Sequence, residues 1–159
     1  MKEGLRSLDM QTLNDLLDRY LDEILNHGDF TNAGDILGER FIFYGPGNTI
    51  GLDSAAFVRY IQEMRAAFSH KEFTELDRIV SGDRAAVRFR MTGLQDGPYR
   101  GLPPLGGAID VEGCDLVRVS EGKIAEVRAY FDLMAVMSRL LIPSPLRVFG
   151  QFMEQVWSR

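Results

Sequence analysis

The chain has 159 residues, 45% apolar and 26% charged, the size and composition of one globular domain whose core needs no metal or disulfide staple. With 18 basic against 23 acidic residues, the formal net charge of −5 is the wrong sign for displacing counterions from nucleic acid, so no nucleic-acid partner is expected. Cys114 is the only cysteine, Met1 to Asp9 lacks the apolar region of a secretory signal, and no apolar run reaches membrane-spanning length; a cytoplasmic protein is expected.

Leu13, Leu16, Leu17, Tyr20, Leu21, Ile24 and Leu25 recur at helical spacing and predict a helix over 10–27, with Gly28 placed to end it. A short helix is expected from Thr31 to Leu37. Phe41 to Tyr44 reads as a strand, broken by Gly45-Pro46-Gly47-Asn48. Asp53 or Ser54 then opens an amphipathic helix carrying Phe57, Val58, Ile61, Met64, Arg65 and Phe68 along one side.

Beyond Ser69-His70 the period changes to two. Strands are predicted over 73–80, 84–92, 109–119 and 123–132, with tight turns at Ser81-Gly82-Asp83 and Glu121-Gly122. Their succession implies a curved antiparallel sheet. A helix over 133–141 follows, stopped by Pro143-Ser144-Pro145, and a last amphipathic helix is expected over about 145–158. One α+β domain over 1–159 results, with a core over about 10–141. Helices covering one face of a bent sheet leave a cone-shaped cavity suited to a small molecule.

On the last strand, Glu126, Arg128, Tyr130 and Asp132 share one face, whereas Ala125, Val127, Ala129 and Phe131 share the other. The first row joins two carboxylates, a guanidinium and a phenol. The second row is wholly apolar and suits a core or a partner chain. Asp132 precedes Leu133-Met134-Ala135-Val136, where an aspartate also serves as a helix cap. Arg88 and Arg90 fit a solvated face, and His27 and His70 fit helix ends. Cys114 fits a small buried apolar position, since no histidine stands ready to activate it. Metal ligation needs clustered ligands, which the sequence does not show, so no metal is expected. Gly101-Leu102-Pro103-Pro104-Leu105-Gly106-Gly107 is not a phosphate loop, because no helix follows it.

Three ordered stretches resemble the SnoaL-like polyketide cyclases of the nuclear transport factor 2-like superfamily. They are Gly51-x-Asp53 with Phe57 and Arg65-Ala66-Ala67-Phe68; Thr92 to Gly97 with Gly101 to Gly107; and Gly113 to Asp115 with Arg118, Glu121-Gly122-Lys123-Ile124-x-Glu126 and Asp132. The resemblance implies a cone-shaped α+β barrel, a homodimer, no cofactor, and a hydrophobic polyketide- or terpenoid-like substrate of secondary metabolism. It implies cyclase or isomerase chemistry, with Asp132 as acid/base and Arg128 and Tyr130 assisting it. The polar row would then point into the cavity. Tyr44, Phe57, Tyr60, Met64, Phe68, Met91, Gln95 and Glu126 are the candidate substrate contacts. Epoxide opening, or binding without turnover, are alternatives on the same fold. The sequence departs from the family where Gly93-Leu94-Gln95 replaces a Gly-Thr-His triplet and where Arg128 replaces a tryptophan.

Overall fold

Residues 10–141 are described by the computed structural model. The helix expected over 145–158 lies outside them. The first helical stretch begins as α1, Met10–Arg19, whose apolar stripe of Leu13, Leu16 and Leu17 is buried. From Tyr20 to His27 the same stretch winds as a π-helix, burying Tyr20, Leu21, Ile24 and Leu25. The wider turn brings residues five apart onto one face, so Tyr20 and Leu25 look into the same interior space. Gly28, at φ 63°, ends the helix in the left-handed conformation that its lack of a Cβ permits.

A single turn, α2 (Ala33–Ile36), leads into β1, which starts at Leu37 rather than Phe41 and ends at Tyr44. Helix α3, Ser54–Ala67, is capped by Asp53, whose carboxylate accepts the Ala56 N–H at 2.8 Å. Strand β2 (Phe68–Ser81) follows without a loop and absorbs Ser69 and His70 through an irregularity before Glu72. Strands β3 (Arg84–Gln95), β4 (Gly107–Ser120) and β5 (Lys123–Phe131) complete the sheet, and α4 (Leu133–Leu141) closes the described chain.

The sheet is curved and unclosed, in the order β1-β5-β4-β3-β2. Strands β2 to β5 form the expected antiparallel meander. Strand β1, which precedes that meander, pairs with β5 in parallel. Tight turns make β2 and β3, and β4 and β5, run antiparallel, whereas β1 reaches β5 only after the whole meander and is under no such constraint.

The helices pack on one side. Leu13, Leu17, Ile24, Phe57 and Ile61 meet Phe41, Phe43, Val87, Val117 and Val127 in the main core. A second cluster, with Met64, Phe68, Met91, Ile109 and Val136, fills the end under α3 and α4. Arg78 pins α1 across β2, donating to the Asn14 carbonyl at 3.1 Å and to Asp18 at 2.6 Å.

Gly97 passes so close to α3 that a Cβ there would lie 2.1 Å from the Ala66 carbonyl oxygen. Since backbone cannot yield cheaply, Gly97→Ala is expected to cost about 2–3 kcal/mol, read as a lowered midpoint in thermal or denaturant unfolding.

Candidate active site

Every second side chain of β4 points into the core: Ile109, Val111, Asp115, Val117 and Val119 are all buried. Asp115 alone among them is charged. It sits on the middle strand of the sheet, with Val87 of β3 and Ala129 of β5 as its neighbours in register, and is 4% exposed. Among the described residues its Oδ1 has no hydrogen-bond partner. Burial alone pushes the carboxyl up to about 7, because no cation offsets the cost of removing its charge from water.

Asp115 borders a cavity of about 30 Å³, lined by Tyr20, Leu25, Phe43, Phe57, Tyr60, Ile61, Phe73, Phe89, Met91, Ala129 and Phe131. None of these residues is basic. Phe57 is the hub of the wall, with ring centroids 5.1 Å from Phe41 and 4.9 Å from Phe43, and Tyr20 stacks on it at 6.4 Å. The Tyr20 hydroxyl is the second buried polar atom here without a partner. Burial raises both the Tyr20 and the Tyr60 phenols, and the Asp115 charge adds to each.

The last strand is turned the other way from the sequence expectation. Val127 and Ala129 are buried, so Glu126, Arg128 and Tyr130 lie on the outer face of the sheet, outside the cavity. Desolvation decides this: the apolar row can face the core at no cost, whereas a guanidinium and a carboxylate buried there would lose their hydration. Arg128 donates to Glu126 at 2.7 Å and covers the Tyr44 ring at 3.9 Å from its centroid. Tyr44 therefore belongs to the outer side too, and Tyr130 is 54% exposed. Asp132 is exposed and caps α4, accepting the Ala135 N–H at 2.9 Å.

The remaining candidates divide. Phe57, Tyr60 and Met91 line the cavity, while Met64 and Phe68 are packed in the neighbouring cluster. Gln95 is fully buried and engaged with its own loop: its amide donates to the Gly97 and Pro103 carbonyls and accepts the Leu105 N–H, each at 2.9 Å. It holds the 96–106 loop and has no amide group left over for a ligand.

A roomier groove of about 300 Å³ opens on the outer face between Ile79, Ala86, Leu116, Arg118 and Arg128. Its Arg118 and Arg128 share the one carboxylate of Glu126, at 3.7 and 2.7 Å, so the groove keeps a net positive charge. On the inner face the Asp115 carboxyl, unpaired among the described residues, meets an aromatic wall. Among the described residues no three His, Cys, Asp or Glu side chains gather closely enough to hold a metal ion.

Sequence reasoning passed over Asp115, although a signal was there. In the alternation of Ile109, Val111, Asp115, Val117 and Val119 it is the one ionisable side chain on an otherwise apolar face.

The helix-covered, curved and unclosed sheet is a fold of the nuclear transport factor 2-like kind. More narrowly, residues 15–140 match the model of the SnoaL-like polyketide cyclases, and the chain belongs to that family. A structure from Jannaschia sp. CCS1 described as a SnoaL-like polyketide cyclase superposes with a TM-score of 0.76 at 23% identity, covering 89% of this chain and 99% of that one. TsrD from Streptomyces laurentii gives 0.74 at 23% identity, covering 86% and 99%. IdmH from Streptomyces antibioticus, described as a polyketide cyclase, gives 0.70 at 21% identity, covering 80% and 96%. These likenesses establish the fold. Among curated proteins none matches the chain.

Because the Asp115 carboxyl is raised in the folded state, the native protein holds its proton at pH values where the unfolded chain has lost it. Stability is therefore full below about pH 4 and falls as pH rises towards 7, by about 2–4 kcal/mol for this group. Asp115→Asn removes that dependence. Denaturant unfolding at pH 5 and pH 8 is expected to show the variant more stable than the parent at pH 8, with the gap narrowing at pH 5.

Proposed function

We propose that this chain is a cofactor-free cyclase or isomerase of a hydrophobic polyketide- or terpenoid-like molecule, and that Asp115 is its acid/base. The observation that carries the proposal is the Asp115 carboxyl, buried on the middle strand with Oδ1 unpartnered and its affinity for protons brought close to neutrality. A group in that state gives up and takes back a proton with little penalty near pH 7. Family membership supports the reaction class.

The cycle balances on one proton. The Asp115 carboxylate removes a proton from the carbon beside a substrate carbonyl, and the C–H electron pair moves into an enolate. That carbon attacks a second carbonyl within the same molecule and forms the ring bond. The resulting alkoxide takes the proton back from the Asp115 carboxylic acid, which restores the carboxylate. Such proton transfer contributes about 10²–10⁴-fold, and holding the substrate folded supplies much of the rest. At about 30 Å³ the cavity is far smaller than a polycyclic ligand, so the aromatic wall must part on binding.

Two wider features belong to the proposal. The outer face of the sheet exposes Ile79, Leu116 and Tyr130 between cross-strand ion pairs, Arg88 with Glu112 and Arg90 with Asp110, which suits a second copy of the chain. The second is a cytoplasmic location; among the described residues no helix is long and apolar enough to cross a membrane.

Incubation with aromatic polyketide precursors bearing an uncyclised β-dicarbonyl arm, followed by mass spectrometry and NMR, tests the assignment. Asp115→Asn is expected to lower ring closure by at least about 10²-fold, whereas Asp132→Asn keeps it within a few-fold, since that side chain caps α4. The reverse pattern would return the acid/base role to Asp132.

A further inference from the structure

The Tyr20 phenol is as unusual as the carboxyl it accompanies. Its side chain is 1% exposed and its hydroxyl has no partner among the described residues, an unfavourable state unless something else supplies the bond. Local structure is also spent on placing it. Tyr20 opens the π-helix, a rare winding that recurs at functional sites, and Leu25 one wide turn later lines the same cavity. Its ring is fixed by stacking on Phe57, so the hydroxyl has a defined direction.

We propose that Tyr20 is a second catalytic residue, whose O–H donates to a substrate carbonyl oxygen while Asp115 works on the adjacent carbon. This rests on the acid/base reading of Asp115. The two groups divide the work of enolisation: Asp115 takes the proton from carbon, and the electron pair it leaves collects on the oxygen that Tyr20 holds. A phenol keeps its own proton throughout, so the hydrogen bond strengthens as the oxygen becomes negative. A donor of this kind contributes most in a site without water.

The same wall sets the substrate class. Among the described residues the titratable groups on it are Tyr20, Tyr60 and Asp115, and no Lys, Arg or His lines the cavity. A carboxylate or phosphate carried in with the reacting centre would meet one negative group and no positive one. The reacting part is therefore an uncharged ketone flanked by apolar or aromatic carbon.

The proposal is tested with 2-tetralone, an uncharged aromatic ketone, by following exchange of its α-hydrogens for deuterium in D2O by NMR. The parent protein is expected to accelerate exchange, and its carboxylate-bearing analogue to exchange at the uncatalysed rate. Tyr20→Phe, which keeps the ring stacked on Phe57 and the unfolding temperature near the parent's, is expected to lower kcat for exchange about 10²–10³-fold with KM changed only a few-fold. If Tyr20→Phe keeps the parent's kcat while Asp115→Asn is inactive, the role of Tyr20 is overturned and that of Asp115 stands. If Asp115→Asn still exchanges normally, the acid/base reading itself fails. A parent protein that leaves 2-tetralone at the background rate, or works equally on the carboxylate, overturns the substrate class.

Discussion

A single carboxyl buried in the centre of the sheet is the constraint to which the rest of the structure answers. Asp115 occupies the position where a fifth aliphatic side chain would complete the inner face of β4, and among the described residues no counter-charge relieves it. Replacing the charge by an apolar group would strengthen the core. The fold carries that expense because its helices and flanking strands bury enough apolar surface around the site to tolerate it, chiefly through Phe57 and the rings it gathers.

The π-helix solves a placement problem. A regular helix continuing from α1 would set the residues after Arg19 at a narrower angular step, and Tyr20 and Leu25 would diverge. Winding at the wider period aligns both with the cavity, while Gly28 ends the segment in a conformation that other residues resist. The loop from Asp96 to Gly106 is fixed by different means. Gln95 satisfies three backbone groups there and turns a glycine- and proline-rich stretch into a defined rim.

The outer face shows the contrasting use of charge. Glu126 lies between Arg118 and Arg128, and Arg88 and Arg90 pair with carboxylates across β4. Each pair is at least partly solvated and so contributes little to stability. Together they make a surface whose positive and negative groups alternate, with Leu116 and Tyr130 between them. Arg128 is tied down on both sides, by Glu126 and by the Tyr44 ring, which explains why a guanidinium stands on this face and not within the cavity.

The sequence by itself determined the helices and the meander, because hydrophobic periodicity and glycine punctuation are local signals: Leu13 to Leu25, Asp53 as a cap, and the alternation through β3, β4 and β5 were all legible. It also supplied the family, through motif order. It could not say which face of β5 turns inward, since both rows were plausible until Val127 and Ala129 met the core and Glu126, Arg128 and Tyr130 were left outside. Nor could it make β1 the parallel partner of β5, a contact between distant segments with no turn to encode it. Only the tertiary structure brought Tyr20 of the first helical segment to Asp115 of the central strand, and only burial, a property of the assembled core, gave that carboxyl its affinity for a proton near neutrality.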